Sequence, residues 1–107
     1  MKTVYSIATA RTIKYLTGAR AGKVSYTTEI KKVWDEDKKS FVVGFDTQRD
    51  AIKYIIHKYE SYVSSDDKWK VCVQNLMLGH FVVRNEWGKK SKGETIDSWN
   101  VVPLVIE

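Results

Sequence analysis

The chain has 107 residues, of which 43% are hydrophobic and 29% charged, and a formal net charge of +5. That balance excludes a chain disordered throughout, and the length fits one globular domain over 1–107. A single cysteine excludes an internal disulfide and a cysteine-based zinc site, and no run approaches the ~20 apolar residues of a membrane span. Residues Met1 to Ser6 carry one lysine and then alternate, without the apolar stretch of a secretory signal. The expectation is a soluble, cytoplasmic domain.

In chain order, Tyr5, Ile7 and Thr9 alternate with Val4, Ser6 and Ala8, a strand expected to continue past a bend through Ile13 and Tyr15. Thr17 to Lys23, small residues around Arg20, read as a loop. Val24 to Lys31 alternate as a half-buried strand of β-branched and aromatic residues. Asp35 to Lys39 form a charged turn, and Phe41 to Phe45 a short returning strand. Asp46 to Val63 is the clearest element. Ala51, Ile52, Ile55, Ile56, Tyr59, Tyr62 and Val63 make one apolar stripe at helical spacing, with Asp46 or Thr47 placed to cap it. Arg49, Lys53, His57 and Glu60 fall on its wet face, and Ser64 to Asp67 end it. Trp69, Val71 and Val73 then alternate with Lys70, Cys72 and Gln74, which makes Cys72 a buried, inert thiol. A bend at Asn75 to Gly79 leads into a strand over His80 to Arg84. Gly88 to Glu94 read as a second loop. Asn100 to Glu107 read as a last strand, at a sheet edge because Pro103 has no amide hydrogen to donate. The expected fold is α+β, one amphipathic helix packed on a largely antiparallel sheet in the order β-β-β-α-β-β-β.

The positive charge is concentrated. Residues 1–28 hold Lys2, Arg11, Lys14, Arg20 and Lys23 and no acid, and residues 1–34 sum to +6. Residues 35–67 sum to −3 and residues 68–107 to +2. A basic first third favours a polyanionic partner or an acidic protein surface. Of the 18 bases 14 are lysine, which neutralises phosphate without the planar fork that reads it bidentately.

Conventional catalytic and metal chemistry finds no footing. The stretch at Gly22-Lys23 is not a phosphate-binding loop, because Val24 follows the lysine and a strand follows in place of a helix. His57 and His80 are isolated and read as surface residues, so no metal or other cofactor is expected. A Cys72–His pair would be the one nucleophilic option, and its strand context argues against it. Asp35 with Asp37, and Asp66 with Asp67, read as solvated turn residues. No catalytic residues are expected.

What remains is basic-aromatic. Lys14-Tyr15, Lys31-Lys32-Val33-Trp34, Lys68-Trp69-Lys70 and Trp87 ahead of Lys89-Lys90 set aromatics beside lysines. Exposed rings stack on unpaired bases while neighbouring lysines neutralise phosphate. Trp34 and Trp87 are the candidate contact rings, and Trp69 and Trp99 are assigned to packing. The expected contact set is Arg11, Lys14, Arg20, Lys23, Lys31, Lys32, Trp34, Trp87, Lys89, Lys90 and Lys92.

Gly44-Phe45-Asp46-Thr47-Gln48-Arg49-Asp50-Ala51-Ile52-Lys53-Tyr54-Ile55 resembles the strand-to-helix step of small sheet-plus-helix modules, including the hybrid-binding domain found ahead of some ribonucleases H. The likeness encodes a capped helix after a strand, and that domain's aromatic and basic motifs have no counterpart here, so no family follows. A compact chain rich in lysine and tryptophan is also similar in style to small counter-defence proteins of phages. Two functions are therefore expected. The first is a non-enzymatic module that binds nucleic acid, RNA or single strands in preference. The alternative is an inhibitor or adaptor that binds a nuclease or another nucleic-acid-processing enzyme. A homodimer through the C-terminal edge strand is a further expectation, and no membrane partner is expected.

Overall fold

The computed structural model describes residues 1–65, 68–88 and 92–106. Its elements are β1 (Lys2–Tyr15), β2 (Val24–Lys31), β3 (Val33–Asp35), β4 (Ser40–Val42), α1 (Gln48–Val63), β5 (Lys70–Asn75), a 3-10 turn (Leu76–Leu78), β6 (His80–Trp87) and β7 (Gly93–Ile106). Five strands form one antiparallel sheet in the order β2-β1-β7-β6-β5, and β3 with β4 forms a separate hairpin. The α+β expectation holds, with one strand more than the sequence suggested. Val33–Asp35 is too short to show periodicity and pairs with Ser40–Val42 across the charged turn. Asp35 Oδ1 fixes that turn by accepting from the amides of Asp37 and Lys38.

β1 and β7 define the molecule. Each runs 14 residues, β1 without the expected bend, and they pair from Lys2↔Ile106 to Tyr15↔Gly93. A strand of that length spans about 46 Å, whereas a 16-residue helix spans about 24 Å. The helix therefore cannot cover the whole sheet, and the end carrying Tyr15, Trp87 and Gly93 projects as an arm. The extents of 49 × 28 × 25 Å and a radius of gyration of 15.9 Å, against roughly 13 Å for a compact chain of this length, agree.

Under the helix, Ile7, Val33, Ala51, Ile55, Phe81, Val83 and Trp99 form the buried cluster. Thr47 caps α1 with its hydroxyl accepting from the Asp50 amide at 3.2 Å. The buried stripe is narrower than expected. Ala51 and Ile55 are buried, Ile52, Ile56 and Tyr59 are half-buried, and Val63 is 50% exposed. Tyr59 leans toward β5, where its hydroxyl donates to Gln74 Oε1 at 3.0 Å. At the C-terminus, Ser64 returns both its amide and its hydroxyl to the Glu60 carbonyl, while Asp66 and Asp67 lie outside the described residues.

Three further expectations change for topological reasons. β2 is an edge strand beyond the helix's reach, so Val24, Tyr26 and Ile30 are exposed rather than half-buried. β5 is the other edge, and its register shifts between Val71 and Val73. That shift pairs Val71 with Val83 on the helix side and Val73 with Val82 on the other, and leaves Cys72 exposed instead of buried. The last strand begins at Gly93 and lies between β1 and β6, not at an edge. Among the described residues only its end passes the last partner on that side, since Val101 donates to Gly79 and β6 pairs no further than Asn100. Gly79 is required at this corner. Its φ is +70°, and a Cβ there would stand 2.5 Å from Val101 Cγ2.

Candidate nucleic-acid interface

The projecting end of the sheet brings the 16–23 loop to Lys92, distant in sequence. The amides of Leu16 and Thr17 both donate to the Lys92 carbonyl, at 2.9 and 3.3 Å, which ties the 16–23 loop to the residue before β7. The 16–23 loop is itself closed by Tyr15 N–H to the Lys23 carbonyl and Gly22 N–H to the Tyr15 carbonyl. Lys14, Arg20, Lys23 and Lys92 are thereby grouped at one tip, and Lys89 and Lys90 lie outside the described residues.

Two aromatic rings sit among these bases. In the β1–β7–β6 register, Tyr15, Gly93 and Trp87 occupy one row on the helix-side face. Glycine in the middle lets the Trp87 indole cross β7 and meet Tyr15 edge-on, with centroids 5.9 Å apart. Trp87 Nε1 donates to Thr95 Oγ1 at 3.0 Å, which fixes the ring while 37% of the residue stays exposed. The Arg20 guanidinium stands 5.5 Å from the Tyr15 ring centroid. On the opposite face Lys14 approaches Glu94 at 3.7 Å, and Arg84 binds the same carboxylate at 3.3 Å. The tip thus carries a clamped aromatic pair with Arg20 against it on one face and Lys14 beside Glu94 on the other.

The remaining candidates fall elsewhere. Trp34 is 48% exposed and packs edge-on against Phe41 at 5.2 Å. It lines a hollow with Asp35, Glu36, Asp37, Asp50, Lys53 and His57, where carboxylates outnumber cations. Lys32 is exposed between β2 and β3. Arg11 and Lys31 line a separate cavity of about 280 Å³ between β2 and the C-terminal end of α1, together with Thr27, Glu29, Tyr62, Asp97 and Trp99.

That cavity is built on a buried carboxylate the sequence analysis passed over. Asp97 accepts two bonds from Arg11, Nε to Oδ1 at 2.8 Å and Nη2 to Oδ2 at 2.9 Å. It also accepts from Tyr62 Oη at 2.8 Å, and the Trp99 indole N–H donates to Tyr62 Oη at 3.2 Å. Burial, and secondarily the hydrogen bond to Asp97, push the Tyr62 phenol up to about 12. Lys31 pairs with Glu29 at 2.7 Å. Its ammonium stands 5.8 Å from the Trp99 ring centroid, and that of Lys58 stands 5.9 Å from the same centroid. Trp99 is buried, as its assignment to packing requires, and Trp69 packs on Tyr62 at 4.9 Å. The missed signal was an aspartate two residues before Trp99 in a strand. That register turns it toward the helix, where a carboxylate needs partners.

No protein-family model, curated protein or solved structure matches this chain. Among the described residues no helix is long and apolar enough to cross a membrane.

Proposed function

We propose that the protein is a non-enzymatic, cytoplasmic module that binds nucleic acid, RNA or single strands in preference to duplex, through the tip of its sheet. The observation that supports this reading most is the joining of the 16–23 loop to Lys92, which brings Arg20, Lys23 and Lys92 to the end of the sheet that carries Tyr15 and Trp87, with Lys14 on its other face beside Glu94. Phosphates would be neutralised by these cations and a base would stack on the exposed part of Trp87. Trp34 drops out of the contact set on this reading, because the acids around it repel phosphate.

The test is fluorescence anisotropy with labelled RNA, single-strand DNA and duplex at two salt concentrations. Arg20→Glu with Lys23→Glu should weaken every nucleic acid and lower the slope of log affinity against log salt by roughly 0.7–0.9 per lost contact. Trp87→Ala should remove roughly 1–3 kcal/mol from single-strand binding, and Trp34→Ala should change nothing. Absence of binding by the parent at low salt would sink the reading.

A second reading, an inhibitor or adaptor for a nucleic-acid-processing enzyme, rests on the end of β7. Leu104, Val105 and Ile106 are exposed there, and β6 no longer covers the outer backbone. Such an edge accepts a strand from a protein partner or from a second copy. Loss of partner capture or of dimer on deletion of residues 102–107 supports it, and a monomer that captures its partner unchanged counts against it.

A further inference from the structure

We infer that the saddle between β2 and α1 is a phosphate-binding site, with Lys31 and Lys58 as its ligands and Arg11 as a flanking cation. This inference does not depend on the tip binding nucleic acid. Lys31 comes from the end of β2 and Lys58 from the middle of α1, yet both ammoniums stand within 6 Å of the Trp99 ring centroid. Trp99 is 7% exposed and stacks on Phe81 with planes 9° apart, so the indole is a rigid floor rather than a stacking platform. Among the described residues Lys58 has no carboxylate within ion-pairing distance, and Lys31 has Glu29 alone. Arg11 uses Nε and Nη2 on Asp97, and its side chain is 55% exposed, which leaves Nη1 available beside the cavity.

The Lys58 ammonium also stands 5.5 Å from the Tyr54 ring centroid and, among the described residues, is matched by no acid, so its charge stays available to an anion. Cavities of about 280 and 240 Å³ open on either side of Tyr62 here, one lined by Lys31 and Arg11, the other by Lys58 and Ser61. Both are large enough for a phosphate group and small for a polymer to fill. A compact tetrahedral oxyanion accepts charge-assisted hydrogen bonds from several ammoniums at once. Glu29 occupies one donor of Lys31 in the meantime and competes with such a ligand. The phosphate could belong to a free mononucleotide or to a nucleic-acid backbone, and the chemistry at the saddle is the same.

The experiment is an NMR titration of the folded protein with inorganic phosphate, adenosine monophosphate and a short single-strand oligonucleotide, each against sodium chloride at matched ionic strength. Lys31→Met and Lys58→Met keep the alkyl cover over Trp99 and remove the charge. Each should weaken inorganic phosphate roughly tenfold, and Lys58→Arg should restore it. Glu29→Gln should tighten phosphate, an effect that a merely structural role for Lys31 would not produce. Arg20→Glu with Lys23→Glu should leave phosphate binding intact, which separates the saddle from the tip. Preferential binding of the mononucleotide assigns the site to a free ligand, and preferential binding of the oligonucleotide assigns it to a strand. Phosphate shifts equal to those from chloride, or unchanged in both methionine variants, would overturn the inference.

Discussion

The indole of Trp87 crosses β7 directly over Gly93, so closely that a Cβ on Gly93 would stand 2.4 Å from Trp87 Cζ2. The glycine is buried, although it lies at the exposed end of the sheet, because the ring covers it. This contact holds the ring against Tyr15 and so shapes the tip's aromatic surface.

Gly93→Ala should therefore expel the indole. The clash is with rigid ring atoms held by the Thr95 hydrogen bond, so the ring must swing out or the strands must part. Overpacking of this kind costs typically about 1–3 kcal/mol. The expected outcome is a lower melting temperature, loss of the ring-current shifts between Trp87 and Tyr15, and weaker single-strand binding with an unchanged salt slope. An alanine variant with parental melting and ring-current shifts would show that the contact is not tight.

Within α1 the two isoleucines at 55 and 56 should separate cleanly. Ile55 is fully buried in the core cluster that includes Ile7 and Phe81, whereas Ile56 is half-buried. Ile55→Ala should cost about 2–5 kcal/mol through lost transfer energy plus a cavity. Ile56→Ala should cost well under half of that, because solvent already reaches the side chain. Equal losses in denaturant unfolding would mean that the helix is rolled so as to bury Ile56 as deeply as Ile55.

How far the sequence carried the reading depends on range. The α1 helix was legible from Thr47 and the spacing of Ala51, Ile55 and Tyr62, since capping and a 3.6-residue period are local signals. Strand identity was mostly legible for the same reason. Which strands lie at edges was not. Pro103 suggested an edge, yet it sits opposite Tyr5, whose amide and carbonyl both turn away to Phe45, so the pair makes no demand on the missing hydrogen. Cys72 was misread because a bulge breaks period 2 without any change in composition. At the candidate site, Arg20, Lys23 and Trp87 were legible as residue types. Their meeting through Lys92 depends on pairing across most of the chain, and so does the approach of Lys31 and Lys58 to Trp99.

The last prediction concerns alkaline pH and Tyr62. Burial, reinforced by the bond to Asp97, raises this phenol from its ordinary value near 10 to about 12 in the folded protein. The folded state thus holds the Tyr62 proton more tightly than the unfolded chain does. Its contribution to stability is complete below pH about 10 and is lost as the pH rises from there through about 12. Tyr62→Phe removes the titrating group along with the hydrogen bonds to Asp97 and from Trp99. At pH 7 the variant should be less stable by roughly 1–2 kcal/mol, the net value of a half-buried bond to a charged group with its cost discounted for solvent. Above pH 10 the parent should lose stability faster, so the gap between the two should narrow. Lysines also titrate in this range, but they do so in both proteins and cancel in the difference. The measurement is denaturant unfolding of parent and variant at intervals from pH 7 to 11.5. A gap that stays constant or widens across that range would show that Tyr62 ionises at its ordinary value and that Asp97 does not hold its proton.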